Sequence, residues 1–323
     1  MFWRRKKEPA APPQIGCFGK LPATGDFIRL NAGGEEVASL DRWLGDAIDF
    51  ARNQMGPSFE AAYPHAFGLF IYRGEGKGSE PPARGLVGAW AASGDNAGRR
   101  YPMIVFGSYD YGQLVATGAA LPIALWPLLT AAYDLATNGR MLTTDAFLER
   151  AGRIVPPTLD DPEAATAGYR GWLATQPMRA LWETGFGNEA IRFWVLQTIM
   201  ASVEPFRGQE LPKTGLCLRL PIGAGDAYAV AVWMDMTLRL AKWGRTLLNA
   251  FWSPQKTTLL HLGPPHIASF RELISPTSAN HVADLCGAPF LDEQQARRAL
   301  GPQLESLVGR SDLSLASFLE GLG

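Results

Sequence analysis

Apolar residues recur along this chain with two different spacings, and each spacing predicts a different element. Over Ser39–Met55 they return every three or four residues, which is typical of an amphipathic helix. Short apolar runs without this period predict strands at Gln14–Gly19, Phe67–Arg73, Gly85–Ala92 and Tyr101–Gly107. Because no helical segment separates the last three runs, we expect them to pair in antiparallel fashion.

The rest of the chain mixes helical and strand-like segments. Helices are predicted at Pro122–Thr137, with a bend or a later start at Pro127, and at 144–154, 163–175, 188–203, 226–243, 264–274, 292–308 and 312–322. Strands are predicted at 215–220, 247–252 and 257–262, the last two as a hairpin. This order predicts an α/β protein of α+β character, in which helices flank a mixed, largely antiparallel sheet.

Composition divides the chain into four predicted segments. Residues 1–13 combine four cations with several prolines, which predicts a disordered basic tail. Residues 14–140 are predicted as an N-terminal domain, and residues 141–275 as a helical insert with a second strand–helix half that packs with it. Residues 276–323 are predicted as a helical C-terminal appendage.

Charge and residue counts narrow the class of function. The 323 residues are 47% hydrophobic, and 30 basic residues balance 31 acidic ones, which gives a net charge of −1. Nucleic-acid-binding proteins usually carry a basic excess, so we expect no nucleic-acid partner. The three cysteines are far apart and the histidines lack metal-ligand spacing, so we expect neither disulfides nor a metal site.

We also expect no stable membrane insertion. The basic N-terminal run is followed by prolines, where a secretory signal would have an apolar stretch. Residues 111–133 lack charged side chains, but Pro122, Pro127 and many alanines favour a loop and a buried helix over a membrane span. The resulting prediction is a cytoplasmic protein with reduced thiols.

No group of residues predicts an enzyme. The chain has no G-x-S-x-G motif, and the glycine-rich segment 74–79 lacks the spacing of a phosphate-binding loop. Cys17 is formally a nucleophile candidate, but a lone cysteine in a strand is usually a small buried hydrophobe. We therefore expect no catalytic residue and no cofactor.

A glycine-punctuated loop follows the first predicted strand and holds a cation and an anion. Glycine permits backbone angles that other residues avoid, and proline fixes φ, so such a loop has a defined shape. Loops of this kind carry function more often than strands do. The first half of a predicted binding site therefore comprises Gly19, Lys20, Leu21, Pro22, Gly25, Asp26, Phe27 and Arg29.

A charged turn at residues 93–102 supplies the second half. It contributes Asp95, Gly98, Arg99, Tyr101 and Pro102. In one interpretation its arginine pairs with a carboxylate, with Asp26 as the candidate, and pins the two loops together. In the other, the loops contact a partner directly.

Trp252, at the end of a predicted strand, is a further candidate for the binding site. Tryptophan is enriched at interfaces, which favours a contact with a partner. Its position in a strand is also typical of a hydrophobic core, and this second interpretation stays open.

The first loop resembles the signature of TagF proteins, which are accessory proteins of bacterial type VI secretion. The match is Gly-Lys-Leu-Pro-x-x-Gly-Asp-Phe at residues 19–27, followed by a tryptophan-bearing helical segment at 41–44. Residues 98–103 are similar to a glycine–arginine turn of the family, with Arg100 where an aromatic residue is common. Looser likeness at 251–253 and 263–270 extends the resemblance over residues 14–275.

The resemblance implies a non-enzymatic, cytoplasmic regulator that represses type VI secretion after translation. It also implies a partner, a forkhead-associated scaffold protein, which the bound regulator would keep from the assembling apparatus. Two alternatives stay open. One is a structural component of the secretion apparatus, and the other is a hydrolase that uses Asp26 with Lys20 or Arg99.

Overall fold

A computed structural model describes residues 11–76, 80–209, 211–213, 215–223, 227–244, 246–253, 257–276 and 281–323. Residues 1–10 of the predicted basic tail lie outside the described residues, as do Pro254 and Gln255 in the turn of the predicted hairpin.

Within these described ranges, nine strands form one sheet. In chain order they are β1 (Gln14–Lys20), β2 (Phe27–Leu30), β3 (Phe67–Tyr72), β4 (Arg84–Ala91), β5 (Met103–Asp110), β6 (Cys217–Pro221), β7 (Asn249–Trp252), β8 (Thr257–His261) and β9 (Val282–Asp284). Their order across the sheet is β2-β1-β5-β4-β3-β7-β8-β6-β9. Every neighbouring pair is antiparallel except β6 and β9, which are parallel. The predicted mixed, largely antiparallel sheet is confirmed.

Helices pack on both faces of this sheet. In chain order they are α1 (Glu35–Met55), α2 (Pro57–Ala62), α3 (Tyr111–Thr117), α4 (Leu121–Ala124), α5 (Trp126–Asn138), α6 (Thr144–Gly152), α7 (Pro162–Thr175), α8 (Met178–Phe186), α9 (Arg192–Val203), α10 (Ala227–Ala241), α11 (Ser269–Ile274), α12 (Glu293–Gly309) and α13 (Leu315–Glu320). The helix predicted at 122–137 is divided into α4 and α5, because Pro127 occupies the first turn of a new helix.

Side chains alternate between two cores because successive residues of a strand point to opposite faces. In β5, Val105 belongs to the larger core, which the middle helices cover, whereas Phe106 belongs to a smaller core beneath α1. Covering both faces buries every residue of β5 except the last, which explains its nearly unbroken apolar sequence. The apolar side of α1, including Leu40 and Leu44, completes the smaller core.

The periodicity argument missed two short strands, β2 and β9, and three helices, α2, α3 and α8; α3 lies where a loop before Pro122 was predicted. β2 has four residues with only Ile28 buried, β9 has three, and α8 has nine. Pairing with β1 and β6 organises the two strands, and such pairing leaves no signal in segments this short.

The sheet crosses the predicted domain boundaries. β3 lies in the predicted N-terminal domain and pairs with β7 of the second half, whereas β9 of the predicted appendage pairs with β6. The four domain boundaries themselves stay a prediction.

In the part of the chain that the structure describes, no single helix has the length and apolar character needed to cross a membrane. One bent pair, Tyr111–Ala124 and Trp126–Met141, meets those two criteria jointly, with 63° between its halves.

Candidate functional site

The two loops of the predicted binding site lie side by side. Residues 20–26 leave the end of β1, and residues 93–102 lead into β5. Because β1 and β5 are paired, with Phe18 opposite Ile104, the two connections emerge at the same edge of the sheet. A backbone hydrogen bond from Asn96 N–H to the Thr24 carbonyl joins them at 3.2 Å. We refer to residues 20–26 and 93–102 as the loop pair.

The carboxylate of Asp95 organises the loop pair. It accepts a hydrogen bond from Lys20 Nζ across the two loops and another from Arg99 Nε at 2.6 Å. The backbone N–H groups of Ala97 and Arg99 donate to its other oxygen, at 3.1 and 2.8 Å. The Lys20 hydrogen bond, helped by those from Arg99, holds the pKa of Asp95 well below its usual range. The ion pair with Lys20 is buried, so it fixes the shape of the loops.

Two further hydrogen bonds join the loops, and each runs from a side chain of the second loop to a backbone carbonyl of the first. Arg99 Nη2 donates to the Gly25 carbonyl at 2.6 Å, and Ser93 Oγ donates to the Lys20 carbonyl at 2.7 Å. The predicted arginine–carboxylate pair does not itself join the loops, because Arg99 pairs with Asp95 of its own turn; the Lys20–Asp95 ion pair and the Arg99–Gly25 hydrogen bond join them. Naming Asp26 as that partner was wrong, since its exposed carboxylate makes no ion pair within the described ranges.

Gly19 allows the end of β1 to approach the second loop. Its φ is +139°, a backbone angle that side-chain-bearing residues rarely adopt. A Cβ atom at this position would lie 2.2 Å from the Pro102 carbonyl oxygen and 2.8 Å from Met103 Cα. Both neighbours are backbone atoms that cannot rotate away, so the close approach requires glycine.

A tyrosine connects the loop pair to α1. The Tyr101 hydroxyl donates to Asp41 Oδ1 at 2.5 Å, and Arg29 Nη2 donates to Asp41 Oδ2 at 2.9 Å. Burial, together with the Asp41 carboxylate, raises the pKa of Tyr101 well above its usual value. The Phe27 ring packs edge-on against Tyr101 at 4.8 Å and is 39% exposed. Phe27, the first residue of β2, is thus an apolar group exposed to solvent directly beside the loop pair.

The structure divides the predicted binding residues into two groups. Exposed ones are Pro22, Asp26, Phe27, Arg29, Gly98 and Arg99, with Gly25 intermediate. Buried ones are Gly19, Lys20, Leu21, Asp95, Tyr101 and Pro102. The buried group shapes the loops, so only the exposed group can contact another molecule in this conformation.

Trp252 does not belong to this surface. Its side chain is fully buried in the larger core, so its interpretation as a contact residue was wrong and its interpretation as a core residue is confirmed. Its position on β7, between β3 and β8, is the physical reason, because central strands covered on both faces expose no side chains.

Two clefts flank the loop pair, and sequence reasoning missed both. One, of about 490 Å³, lies between the loop pair and the end of α5, and the other, of about 460 Å³, lies against α1 and Glu60. Arg100 lines both. The residues that form each cleft are distant from one another in sequence, so no local sequence motif indicates either cleft. Within the described ranges, no group of three or more His, Cys, Asp or Glu residues is placed to hold a metal ion.

Comparison with known proteins places the loop pair in a defined family segment. Residues 16–154 match the model of the TagF N-terminal domain, which is type VI secretion system-associated. The chain is also similar to the crystal structure of PA0076 from Pseudomonas aeruginosa PAO1, at 13% identity over 86% of this chain and 99% of that chain, with a TM-score of 0.47. No curated protein matches the chain.

Proposed function

We propose, from the match of residues 16–154 to the TagF N-terminal domain, that this chain is a cytoplasmic, non-enzymatic regulator of type VI secretion. It represses secretion after translation by binding a forkhead-associated scaffold protein. The bound scaffold is then kept from the assembling apparatus.

The observation that carries this proposal is the state of the charged groups in the first loop and the turn. Lys20 and Asp95 are buried against each other, and Arg99 bonds both Asp95 and the Gly25 carbonyl. The buried pair of Lys20 and Asp95 stabilises loop geometry and is not available to a substrate. An ordered, partly apolar surface suits recognition of a protein.

The hydrolase alternative finds no support in this geometry. It requires Asp26 to act with Lys20 or Arg99, and both cations are paired with Asp95. The second alternative, a structural component of the apparatus, predicts the opposite effect of a deletion.

Deleting the gene tests the direction of the effect. We expect secretion of a type VI effector to rise in the deletion strain and to return to the wild-type level on complementation. Loss of secretion would contradict repression and favour an apparatus component.

Co-purification tests the partner. The tagged full-length chain is expected to retain the forkhead-associated protein of the same secretion cluster. Asp26→Lys reverses an exposed charge of the loop pair and should weaken this complex. Asp46→Lys makes the same change on the exposed side of α1 and serves as the matched control. A wild-type chain that fails to retain the scaffold protein would refute the proposed partner.

A further inference from the structure

The cleft between the loop pair and the end of α5 has a mixed apolar and cationic lining. It measures about 490 Å³. We call it the groove, and its lining residues are Pro22, Tyr63, Pro64, Ala92, Ser93, Gly94, Arg100, Thr137, Asn138, Arg140 and Met141. Its walls therefore come from the loop pair, from the turn at Tyr63 and Pro64, and from the end of α5 with the residues that follow it.

Two hydrogen bonds from side chains hold the backbone of the groove in place. Arg140 Nη1 donates to the Ala92 carbonyl at 2.6 Å, and the Tyr63 hydroxyl donates to the Ser93 carbonyl at 3.2 Å. Tyr63 is itself buried and stacks on Phe59 at 5.0 Å. The groove is thus preformed, so a ligand need not supply the free energy for ordering it.

An exposed apolar side chain stands at the rim. Met141 is 90% exposed, although Gly139, two residues earlier, is buried. Pro22, which is also exposed, lines the same groove from the first loop. Methionine adapts its shape to different apolar partners and is frequent on binding surfaces.

The charges of the groove have one sign. Arg100 and Arg140 line it, and the described lining residues include no Asp or Glu. Glu60, which lines the neighbouring cleft, pairs with Nε and Nη2 of Arg100, each at 3.2 Å. The remaining nitrogen of that guanidinium, Nη1, is not used by this pair. Arg140 likewise commits only Nε and Nη1, to the Thr137 and Ala92 carbonyls. Both arginines retain donors for a carboxylate.

From this combination we propose that the groove docks an acidic peptide segment of a protein partner. An apolar side chain of the segment packs on Met141 and Pro22, and a neighbouring carboxylate pairs with Arg100 and Arg140. The proposal rests on the proposed function, since it names the chemistry by which the repressor holds its partner. Charge complementarity selects an acidic occupant over a basic one.

A random peptide library displayed on phage and panned against the immobilised full-length chain tests the proposal. Enriched peptides are expected to be acidic and to contain apolar residues next to the acids. Their binding should weaken at least tenfold in Met141→Asp and in Arg100→Glu. Matched controls are Val155→Asp, a residue that is 85% exposed and outside the groove, and Arg52→Glu, which lines only the second cleft. Both controls should stay within twofold of the wild-type chain.

Any of three results would refute the proposal that the groove docks an acidic peptide. They are failure to enrich any peptide, enrichment of basic peptides, and equal binding by Met141→Asp and the wild-type chain. Displacement of the peptides by inorganic phosphate at equal concentration would show a simple anion site and would also refute it.

The same variants distinguish this failure from failure of the proposed function. If Met141→Asp and Arg100→Glu still repress secretion and retain the scaffold protein, the proposed docking in the groove is wrong, whereas the proposed function stands. If the groove binds acidic peptides but deleting the gene leaves secretion unchanged, the proposed docking stands and the proposed function is wrong.

Discussion

Replacing Gly19 by alanine tests whether the end of β1 must approach the second loop as closely as the structure shows. Two penalties are expected. The φ of +139° costs a side-chain-bearing residue about 1–3 kcal/mol. The overlap with the Pro102 carbonyl, at 2.2 Å, adds the cost of forcing atoms into a packed site, about 1–3 kcal/mol. Gly19→Ala should therefore lower the free energy of unfolding by about 2–6 kcal/mol.

Two other glycines separate these penalties. Gly98 has a φ of +82°, but a Cβ there meets nothing within 4 Å, so Gly98→Ala should cost only about 1–2 kcal/mol. Gly33 has neither a positive φ nor a neighbour within 4 Å, and Gly33→Ala should change stability by less than about 0.5 kcal/mol. The difference between the Gly19 and Gly98 variants measures the overlap with the second loop.

Urea denaturation of the four proteins provides the assay, with unfolding free energies compared at a common slope. A typical domain is stable by about 5–15 kcal/mol, so the expected loss for Gly19→Ala is large. If Gly19→Ala proves no more costly than Gly98→Ala, the close approach is refuted, and with it the rigid arrangement of the loop pair.

Two further predictions concern charge and pH. Asp95→Asn should lower the urea midpoint more than Asp26→Asn, because it leaves the Lys20 ammonium buried without its anion. Adding Lys20→Met should recover part of this loss. Equal midpoints for the two Asp variants would contradict the buried ion pair between Lys20 and Asp95. The depressed pKa of Asp95 means that its stabilisation is present above the unfolded-state pKa of about 4 and is lost as the pH falls below it. Burial, with His281 and His266 nearby, lowers the pKa of His261 from 6.5 to about 3. Below pH 6.5 the unfolded chain binds a proton that the folded chain does not, so the free energy of unfolding should fall by up to about 1.4 kcal/mol per pH unit. His261→Gln should flatten this slope in urea titrations at pH 7, 6 and 5, and an unchanged slope would contradict the burial of this imidazole.

Much of the fold followed from local sequence patterns. The three antiparallel strands β3, β4 and β5, the long helix α1 and the break before α5 were all predicted near their observed positions. Each of these elements carries its signal within ten to twenty residues, either as an apolar period or as a proline in a first turn. Elements without such a signal, such as β2 and β9, exist because a longer strand pairs with them.

The site was predicted only in part, for the same reason. The glycines, the proline and the charges of the first loop indicated a shaped, functional loop. They did not indicate that Lys20 would pair with Asp95, which lies 75 residues later in the chain. That pairing exists because β1 lies next to β5, so the sheet order brings the two loops to one edge.

The sequence by itself determined the longer strands and helices and identified a loop that resembles the TagF signature, because periodicity and glycine placement act over a few neighbouring residues. Only the tertiary structure decided which signature residues are buried, why Trp252 belongs to the core, and that Pro22, Arg100 and Met141 line one groove. These outcomes depend on the order of nine strands and on the helices that cover them, and contacts between distant segments leave no trace in any one segment of the chain.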